Sequence, residues 1–222
     1  MNFDKESDLF DYLEKHSYAA VYSDIMDEMG FRTQVVSPNA RIKPIKDNYV
    51  AMGRAVTLLN SPDGNENNPY DLVIKCIDSM SSETILVTTG TEPLETGIMG
   101  ELTATALRVN GCRGAVVNGY TRDARKIMEM NFPTFAWGTS PIDTTGRVRV
   151  IETNIPITIG GVSIHPGNMV FADLDGIIVI PKEIESEVIK KVIERIGTEN
   201  TVRNELADGK KMADVWKRHG VL

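Results

Sequence analysis

The sequence is poor in the residues that build zinc sites and disulfide frameworks. It has two cysteines, Cys76 and Cys112, and three histidines, and neither set shows the short spacing of a zinc motif. It has no apolar run close to the roughly 20 residues that cross a bilayer, and residues 1–6 lack the basic and then apolar pattern of a signal peptide. We therefore expect a cytoplasmic protein with buried, unpaired cysteines and no membrane contact. Any bound metal should be a hard ion held by carboxylates and water.

Positive charge is also in short supply. The net charge is −7, from 24 basic and 31 acidic residues among 222. Nucleic-acid binding depends on neutralising phosphates, so this balance argues against a nucleic-acid partner. The hydrophobic share of 41% and the charged share of 25% are typical of a globular protein. We expect a single domain over 1–222, with a helical extension over 182–222.

The order of apolar patterns predicts an α/β protein. Residues 8–16 should form a helix, and Ser17 is a candidate cap for a second one. Between 84 and 137 short apolar runs typical of strands alternate with helical patterns, and this alternation favours parallel pairing. The predicted strands there are 84–89, 114–118 and 135–137, and the predicted helices lie within 97–110 and 123–130.

The pattern changes after residue 148. Several β-rich runs follow up to Pro181, broken by pairs such as Gly160-Gly161, and they predict an antiparallel or mixed sheet layer. Because the strands cluster late, a β/β/α arrangement fits better than a doubly wound sheet. Beyond Pro181, apolar residues recur at helical spacing and predict an amphipathic helix. The polar stretch 61–69 is expected to be either a plain surface loop or a loop that covers a substrate.

The segment 95–123 carries the candidate chemistry. Glu101 follows Gly100 at the start of one predicted helix, and Asp123 follows Arg122 at the start of the next. Both helix starts come after strand-like sequence, so both acids should lie at the carboxyl ends of parallel strands, where α/β layers bind ligands. Two carboxylates and water can hold Mg²⁺ or Mn²⁺. Arg122 can grip a substrate carboxylate with its planar fork.

A simpler explanation of the same residues stays open. Acids are common at helix starts because the helix dipole favours negative charge there, and Arg122 would then be an ordinary surface partner. Glycines at 97 and 100 favour the ligand-binding explanation, since they let backbone N–H groups approach an anion.

The chain resembles the RraA-like family, which includes class II pyruvate aldolases. The resemblance rests on an acid followed, after a spacer of twenty residues, by Arg-Asp, here Glu101 and Arg122-Asp123. It extends over nearly the whole chain, through Ser23-Asp24-Ile25-Met26, Ile42-Lys43-Pro44, Gly53-Arg54-Ala55-Val56-Thr57, the Gly160–Asn168 and Ala172–Pro181 stretches, and the end, Asp214–Leu222.

The resemblance implies a swivelling β/β/α fold, assembled as a homotrimer or hexamer with sites between subunits. It also implies that the extension 182–222 packs on a neighbouring subunit. It also implies a metal-dependent lyase that cleaves a 4-hydroxy-2-oxo acid to pyruvate, with oxaloacetate decarboxylation as a second activity. Asp123 would ligate Mg²⁺ or Mn²⁺, and Glu101 would hold metal-bound water. Arg122 would bind the pyruvoyl end, and backbone amides around Gly97, Gly100 and Leu102 would bind the carboxylate. Glu199, on the C-terminal helix of a neighbour, is the candidate for proton transfer.

Three alternatives remain at this stage. Some members of the family act by binding a ribonuclease without catalysis, and the motif does not exclude that role. Related chemistry on a sugar acid is a further alternative, which the polar stretch 61–69 could accommodate. Glu199 could also be part of a solvated helix face, since charged residues off the apolar stripe usually face water.

Overall fold

Strands and helices alternate in the middle of the chain, and helices occupy both ends. The structure, a computed structural model, describes residues 3–62 and 70–221. Its α-helices are α1 (Glu6–His16), α2 (Ala19–Glu28), α3 (Asp71–Asp78), α4 (Glu101–Val109), α5 (Ala124–Glu129), α6 (Glu185–Ala207) and α7 (Met212–His219). Its strands are β1 (Lys43–Pro44), β2 (Ala51–Ser61), β3 (Thr84–Gly90), β4 (Gly97–Met99), β5 (Ala115–Val117), β6 (Tyr120–Thr121), β7 (Thr134–Ala136), β8 (Gly138–Thr139), β9 (Arg149–Thr153), β10 (Ile157–Ile159), β11 (Val162–Ile164), β12 (Met169–Ala172) and β13 (Ile177–Ile180).

The main sheet is mixed, with strand order β1-β7-β5-β3-β2-β12-β13 and β9 beside β2. The middle strands β2, β3, β5 and β7 are parallel to one another, as the alternation of strands and helices predicts. The later strands β9 and β12 pair antiparallel with opposite halves of β2, and β13 pairs antiparallel with β12. The change of pattern after residue 148 therefore marks the antiparallel part of the sheet.

Alternating side chains divide the fold into three layers. In β12, Val170 and Ala172 face one core, and Met169 and Phe171 face another. Successive side chains of a strand point to opposite faces, so this sheet is apolar on both sides. The hairpin β10–β11 covers the first face. Helices cover the other face, with α1, α2 and α6 over β12 and β13, and α3, α4 and α5 over β3 and β5. The β/β/α prediction is confirmed.

The start of the second helix differs from the sequence prediction. Ser17 was expected to cap α2, but α2 begins at Ala19 after Tyr18 and has no side-chain cap. The Ser17 hydroxyl donates instead to the carbonyl of Leu13, at 2.6 Å, which also accepts the backbone N–H of Ser17. The Ser17 side chain is therefore bound at the end of α1 and does not reach the unpaired N–H groups at the next helix start. Both cysteines are buried and unpaired, as expected.

The ends of the chain are held to the sheet by one arginine. Arg54 on β2 donates to Glu6 of α1 at 2.5 Å and to Glu185 of α6 at 2.6 Å. Its Nη1 also donates to the carbonyl of Gly167, at 3.0 Å. These charge-assisted bonds join the first helix, the sheet and the start of the C-terminal extension, and such bonds are stronger than neutral ones.

The C-terminal extension packs at least partly on its own chain. Val188, Val192 and Ile196 of α6 are buried against α2 and the sheet, at the helical spacing seen in the sequence. Packing of 182–222 on a neighbouring subunit stays a prediction. In the described ranges 3–62 and 70–221, no helix is both long and apolar enough to span a bilayer. The stretch 61–69 falls mostly on residues 63–69, outside the described residues, so its predicted role stays open.

Candidate active site

A second, smaller sheet positions the site residues. Strands β4, β6 and β8 are two or three residues long and run parallel in the order β4-β6-β8. The residues of interest leave their carboxyl ends, with Gly100 and Glu101 after β4, and Arg122 and Asp123 after β6. The prediction that both acids follow neighbouring parallel strands at the same end is therefore confirmed. The strands that do this are the short ones of the second sheet, which the sequence did not reveal.

Asp123 has a backbone conformation that turns its carboxylate toward the neighbouring helix. It precedes α5 with φ 55° and ψ 29°, in the left-handed region that Asp tolerates better than most residues. Its side chain does not cap α5. Instead Oδ2 accepts the backbone N–H of Glu101, at 3.2 Å, and Nε–H of Arg122, at 3.3 Å. Asp123 thus satisfies a donor at the start of α4 and is not simply a helix-start acid of its own helix.

Two glycines make room for this arrangement. A Cβ on Gly97 would lie 2.7 Å from Cβ of Arg122, and a Cβ on Gly100 would lie 2.8 Å from Oδ2 of Asp123. Both distances are shorter than the roughly 3.5–4.0 Å at which carbon atoms pack, so only glycine fits without a shift. The glycines therefore allow the side chains of Arg122 and Asp123 to approach the backbone closely, while the predicted approach of an anion to their N–H groups stays a prediction.

A cavity of about 350 Å³ opens beside these residues. Leu102 lines it and is 80% exposed, unusual for a leucine. Ala104 makes the first backbone bond of α4, to Gly100, so the N–H groups of Leu102 and Thr103 have no acceptor inside the helix. These two amides can bind an anion, whereas the N–H of Gly97 already donates to the carbonyl of Ile142, at 2.9 Å. The cavity wall includes Gly97, Gly100, Leu102, Arg122, Asp123 and Asp143.

One acid of this cavity, Asp143, was not predicted from the sequence. Asp143 follows β8, the third strand of the small sheet, and its Oδ1 accepts Nη1–H of Arg122, at 2.7 Å. The Thr145 hydroxyl, the backbone N–H of Thr144 and the charge of Arg122 hold the pKa of Asp143 below its ordinary value. The signal was an acid followed by two threonines soon after the strand-like run 135–137, which is a weak pattern without knowledge of the neighbouring strand.

The two glutamates predicted as site residues lie in different parts of the fold. Glu101 is next to Asp123, to which its backbone N–H donates, but it lies outside the cavity wall. Its Oε1 accepts the Thr105 hydroxyl of the same helix, at 3.1 Å. Glu199 is on α6, which packs over the other end of the sheet, and the Tyr18 hydroxyl donates to it. Burial raises the pKa of Glu199 above its ordinary value of 4.5. In one chain, therefore, the structure brings Arg122, Asp123 and the glycines together but leaves Glu199 apart.

The donor set fits a hard cation that keeps most of its water. Among residues 3–62 and 70–221, both hydrogen bonds to the Asp123 carboxylate are made to Oδ2. The Asp123 side chain is 43% exposed. Mg²⁺ and Mn²⁺ take oxygen ligands and bind proteins through few carboxylates. In the same described residues, no three His, Cys, Asp or Glu side chains cluster as metal ligands. Asp123 would hold the ion directly, and the role of Glu101 in holding metal-bound water stays a prediction.

Comparison with known proteins identifies the family of this chain. The sequence profile of the RraA-like family, described as Aldolase/RraA, matches residues 20–179. The chain belongs to the RraA-like family. A similar solved structure is Streptomyces coelicolor RraAS2, described as an unusual member of the RNase ES inhibitor RraA protein family. It has a TM-score of 0.77 and 24% identity, over 89% of this chain and 98% of that one, which supports the fold alone.

The sequence relatives carry different names. Protein DlpA of Legionella pneumophila is 31% identical over 86% of this chain, but the match spans only 30% of the length of DlpA. An Azotobacter vinelandii protein named "Putative 4-hydroxy-4-methyl-2-oxoglutarate aldolase" is 30% identical over 74% of this chain and 96% of its own length. The family membership is thus shown, and the reaction is a separate question.

Proposed function

We propose that this RraA-like protein is a divalent-metal-dependent lyase that releases pyruvate from a 4-hydroxy-2-oxo acid of the 4-hydroxy-4-methyl-2-oxoglutarate type. The observation that carries the proposal is the placement of Arg122 and Asp123 beside Gly97 and Gly100 in one polar cavity. A similar protein with an aldolase name supports the same reaction class. Oxaloacetate decarboxylation is included, because it passes through the same pyruvate enolate.

Each residue of the cavity has a task in this reaction. Arg122 binds the pyruvoyl end and places positive charge where negative charge develops during bond cleavage. The amides of Leu102 and Thr103 bind the substrate carboxylate at the positive end of α4. Asp123 holds the cation, which when bound supplies Lewis-acid polarisation of the 2-oxo group. The small sheet fixes these groups relative to one another, and such positioning is itself a large part of catalysis.

Proton transfer at the C4 hydroxyl needs a further group. We assign it to Glu199 of a neighbouring copy in a homotrimer or hexamer, because Glu199 lies away from the cavity of its own chain. Its raised pKa brings it closer to the range in which a carboxylate exchanges protons efficiently near neutral pH. No lysine is needed as a Schiff base, and Lys75 and Lys126 are exposed, outside the cavity wall.

The test is pyruvate release from 4-hydroxy-4-methyl-2-oxoglutarate and from oxaloacetate, with Mg²⁺, Mn²⁺ or a chelator. We expect metal-dependent turnover by the unmodified chain and its loss in Asp123→Ala, because the only direct ligand is gone. Asp78→Asn is the matched control, since Asp78 is exposed at the end of α3 and outside the cavity wall. Mn²⁺ binding, measured by calorimetry, should fall with turnover in Asp123→Ala and stay unchanged in the control.

Other outcomes separate the alternatives. If Mn²⁺ binds but neither acid is cleaved, the site stands and the substrate is a different acid, such as a sugar acid. If there is neither turnover nor metal binding, the lyase proposal fails and a protein-binding role replaces it.

The long C-terminal helix does not exclude that protein-binding role. The likeness to the Streptomyces structure covers 89% of this chain, so it includes part of the C-terminal segment 182–222. The long C-terminal helix therefore does not by itself separate an enzyme from a binding protein of this fold. Inhibition of a ribonuclease by the metal-free chain, unaffected by Asp123→Ala, is the result that would support it.

A further inference from the structure

Arg122 is held by two carboxylates that use different parts of its guanidinium. Asp123 accepts from Nε at 3.3 Å, and Asp143 accepts from Nη1 at 2.7 Å. Nη2 of Arg122 donates no hydrogen bond to the described residues 3–62 and 70–221. The shorter of the two contacts is the one to Asp143, so Asp143 sets the direction of the terminal nitrogens more strongly than Asp123 does.

Asp143 is itself fixed by its own turn. Its Oδ1 also accepts the N–H of Thr144, at 2.8 Å, and its Oδ2 accepts the Thr145 hydroxyl, at 2.8 Å. The Thr145 hydroxyl has one proton, which it donates to Asp143. The Tyr70 hydroxyl is therefore the donor in its 2.9 Å contact with Thr145 Oγ1. A chain of hydrogen bonds thus runs from the residue before α3 to the guanidinium of Arg122.

The backbone of this turn is attached to the strands that carry the site. The carbonyl of Ile142 accepts the N–H of Gly97 on β4, and the N–H of Ser140 donates to Thr121 on β6, both at 2.9 Å. Asp143 therefore sits at a fixed place relative to Gly97 and Arg122. Asp143 is thus a rigid acceptor for the end of the long Arg122 side chain, which otherwise has many rotamers. Because this side chain is already fixed, Arg122 loses less conformational entropy when it binds an anion.

We propose that Asp143 is the positioning residue for Arg122, holding its guanidinium so that Nη2 faces a substrate carboxylate. The inference rests on the proposed function, in which Arg122 binds the pyruvoyl end. Asp143 has an opposing effect as well, because its negative charge weakens the attraction between Arg122 and an anion. Orientation outweighs this effect, since Asp143 is 51% exposed and its charge is largely screened by water.

The two effects predict opposite results for substitutions of Asp143. If orientation dominates, Asp143→Ala raises the KM of substrates that release pyruvate by about 5-fold, the upper end of what an exposed ion pair contributes, and leaves kcat within about 2-fold. Asp143→Asn keeps an acceptor oxygen and should raise KM less. If charge repulsion dominates, both variants lower KM, and the proposal is wrong. Thr145→Val, which removes one donor to Asp143, should show a smaller increase in KM than Asp143→Ala.

A second measurement does not depend on turnover. Phenylglyoxal modifies accessible arginines, and the adduct at Arg122 can be followed in the folded protein by peptide mass spectrometry. We expect Asp143→Ala to raise the rate of labelling at Arg122 by about 3-fold, because an exposed ion pair worth about RT is lost. Glu129→Gln is the matched control, since Glu129 is an exposed acid on α5 whose ion pairs are with Arg125 and Lys126.

Together the two readouts distinguish the failure of each proposal. Faster labelling without any lyase turnover would keep the positioning role of Asp143 and reject the proposed reaction. An unchanged labelling rate in Asp143→Ala, or an equal increase in Glu129→Gln, would overturn the positioning role whatever the activity.

Discussion

Substitution of Gly100 by alanine should impair the site while leaving the fold intact. The added Cβ would lie 2.8 Å from Oδ2 of Asp123 and 3.0 Å from Cγ of Arg122. Non-bonded atoms prefer a separation of about 3.5 Å, so the Asp123 carboxylate must retreat by roughly 0.7 Å. Displacements of about 1 Å at a reacting centre cost on the order of 100-fold in rate. We therefore expect kcat/KM for pyruvate release to fall by about 10- to 100-fold.

The stability of the Gly100→Ala protein should change little. Gly100 has φ −122° and ψ −174°, an extended conformation that alanine adopts without strain. Alanine is a poorer residue than glycine before a helix, which costs about 1 kcal/mol in the free energy of unfolding. A thermal or urea transition close to that of the unmodified protein would show that the loss of activity is local.

Two assays and one control complete this test. Pyruvate release gives kcat/KM, and calorimetric titration with Mn²⁺ gives the metal affinity, which should fall because the Asp123 oxygens have moved. Gly176→Ala is the control, since no atom lies within 4 Å of the added Cβ and its φ is not positive. Unchanged kcat/KM together with unchanged Mn²⁺ affinity in Gly100→Ala would refute the placement of the metal site at Asp123.

Two further predictions concern stability. Arg54→Ala leaves two half-buried glutamates without their shared partner and should lower the free energy of unfolding by about 2 kcal/mol in urea titrations. Arg125→Ala is the control, because its side chain is 80% exposed, and it should change the free energy of unfolding by less than about 0.5 kcal/mol. Equal effects of the two substitutions would contradict the role of Arg54. Burial raises the pKa of Glu199 in the folded protein above its value in the unfolded chain. The stability that Glu199 contributes is therefore fully present at pH values below its unfolded pKa, and it is lost as the pH rises through its folded pKa. Glu199→Gln should therefore match the unmodified protein near pH 4 and become relatively more stable toward pH 7, whereas a pH-independent difference between the two urea curves would contradict the raised pKa.

Much of the fold followed from patterns along the chain. Continuous apolar runs bounded by turn residues made β12 and β13 recognisable, because both of their faces are buried. Apolar residues that recur every three or four positions made α6 recognisable, because burial of one helix face imposes that period. The three-layer β/β/α architecture follows from strands that are apolar on both faces, since each face must be covered. The motif residues Arg122 and Asp123 were also recognisable, because their spacing from Glu101 is shared with the RraA-like family.

Other features of the site depend on contacts between residues that are far apart in the sequence. Strands of two or three residues, such as β6 and β8, are too short to show any period, so the small sheet that carries the site was not visible. The left-handed conformation of Asp123 turns its carboxylate away from its own helix, and the spacing of residues does not encode that direction. Asp143 became part of the site only because β8 lies next to β6.

The sequence alone thus determined which segments are apolar on which face, and which acid and arginine are close in the chain. Those properties are local, since they depend on propensity, periodicity and motif spacing. The tertiary structure decided that Gly97, Gly100, Arg122, Asp123 and Asp143 share one cavity. It also placed Glu199 against Tyr18, away from that cavity. These relations depend on which strands pair and where a side chain turns, and both are settled by packing between residues far apart in sequence.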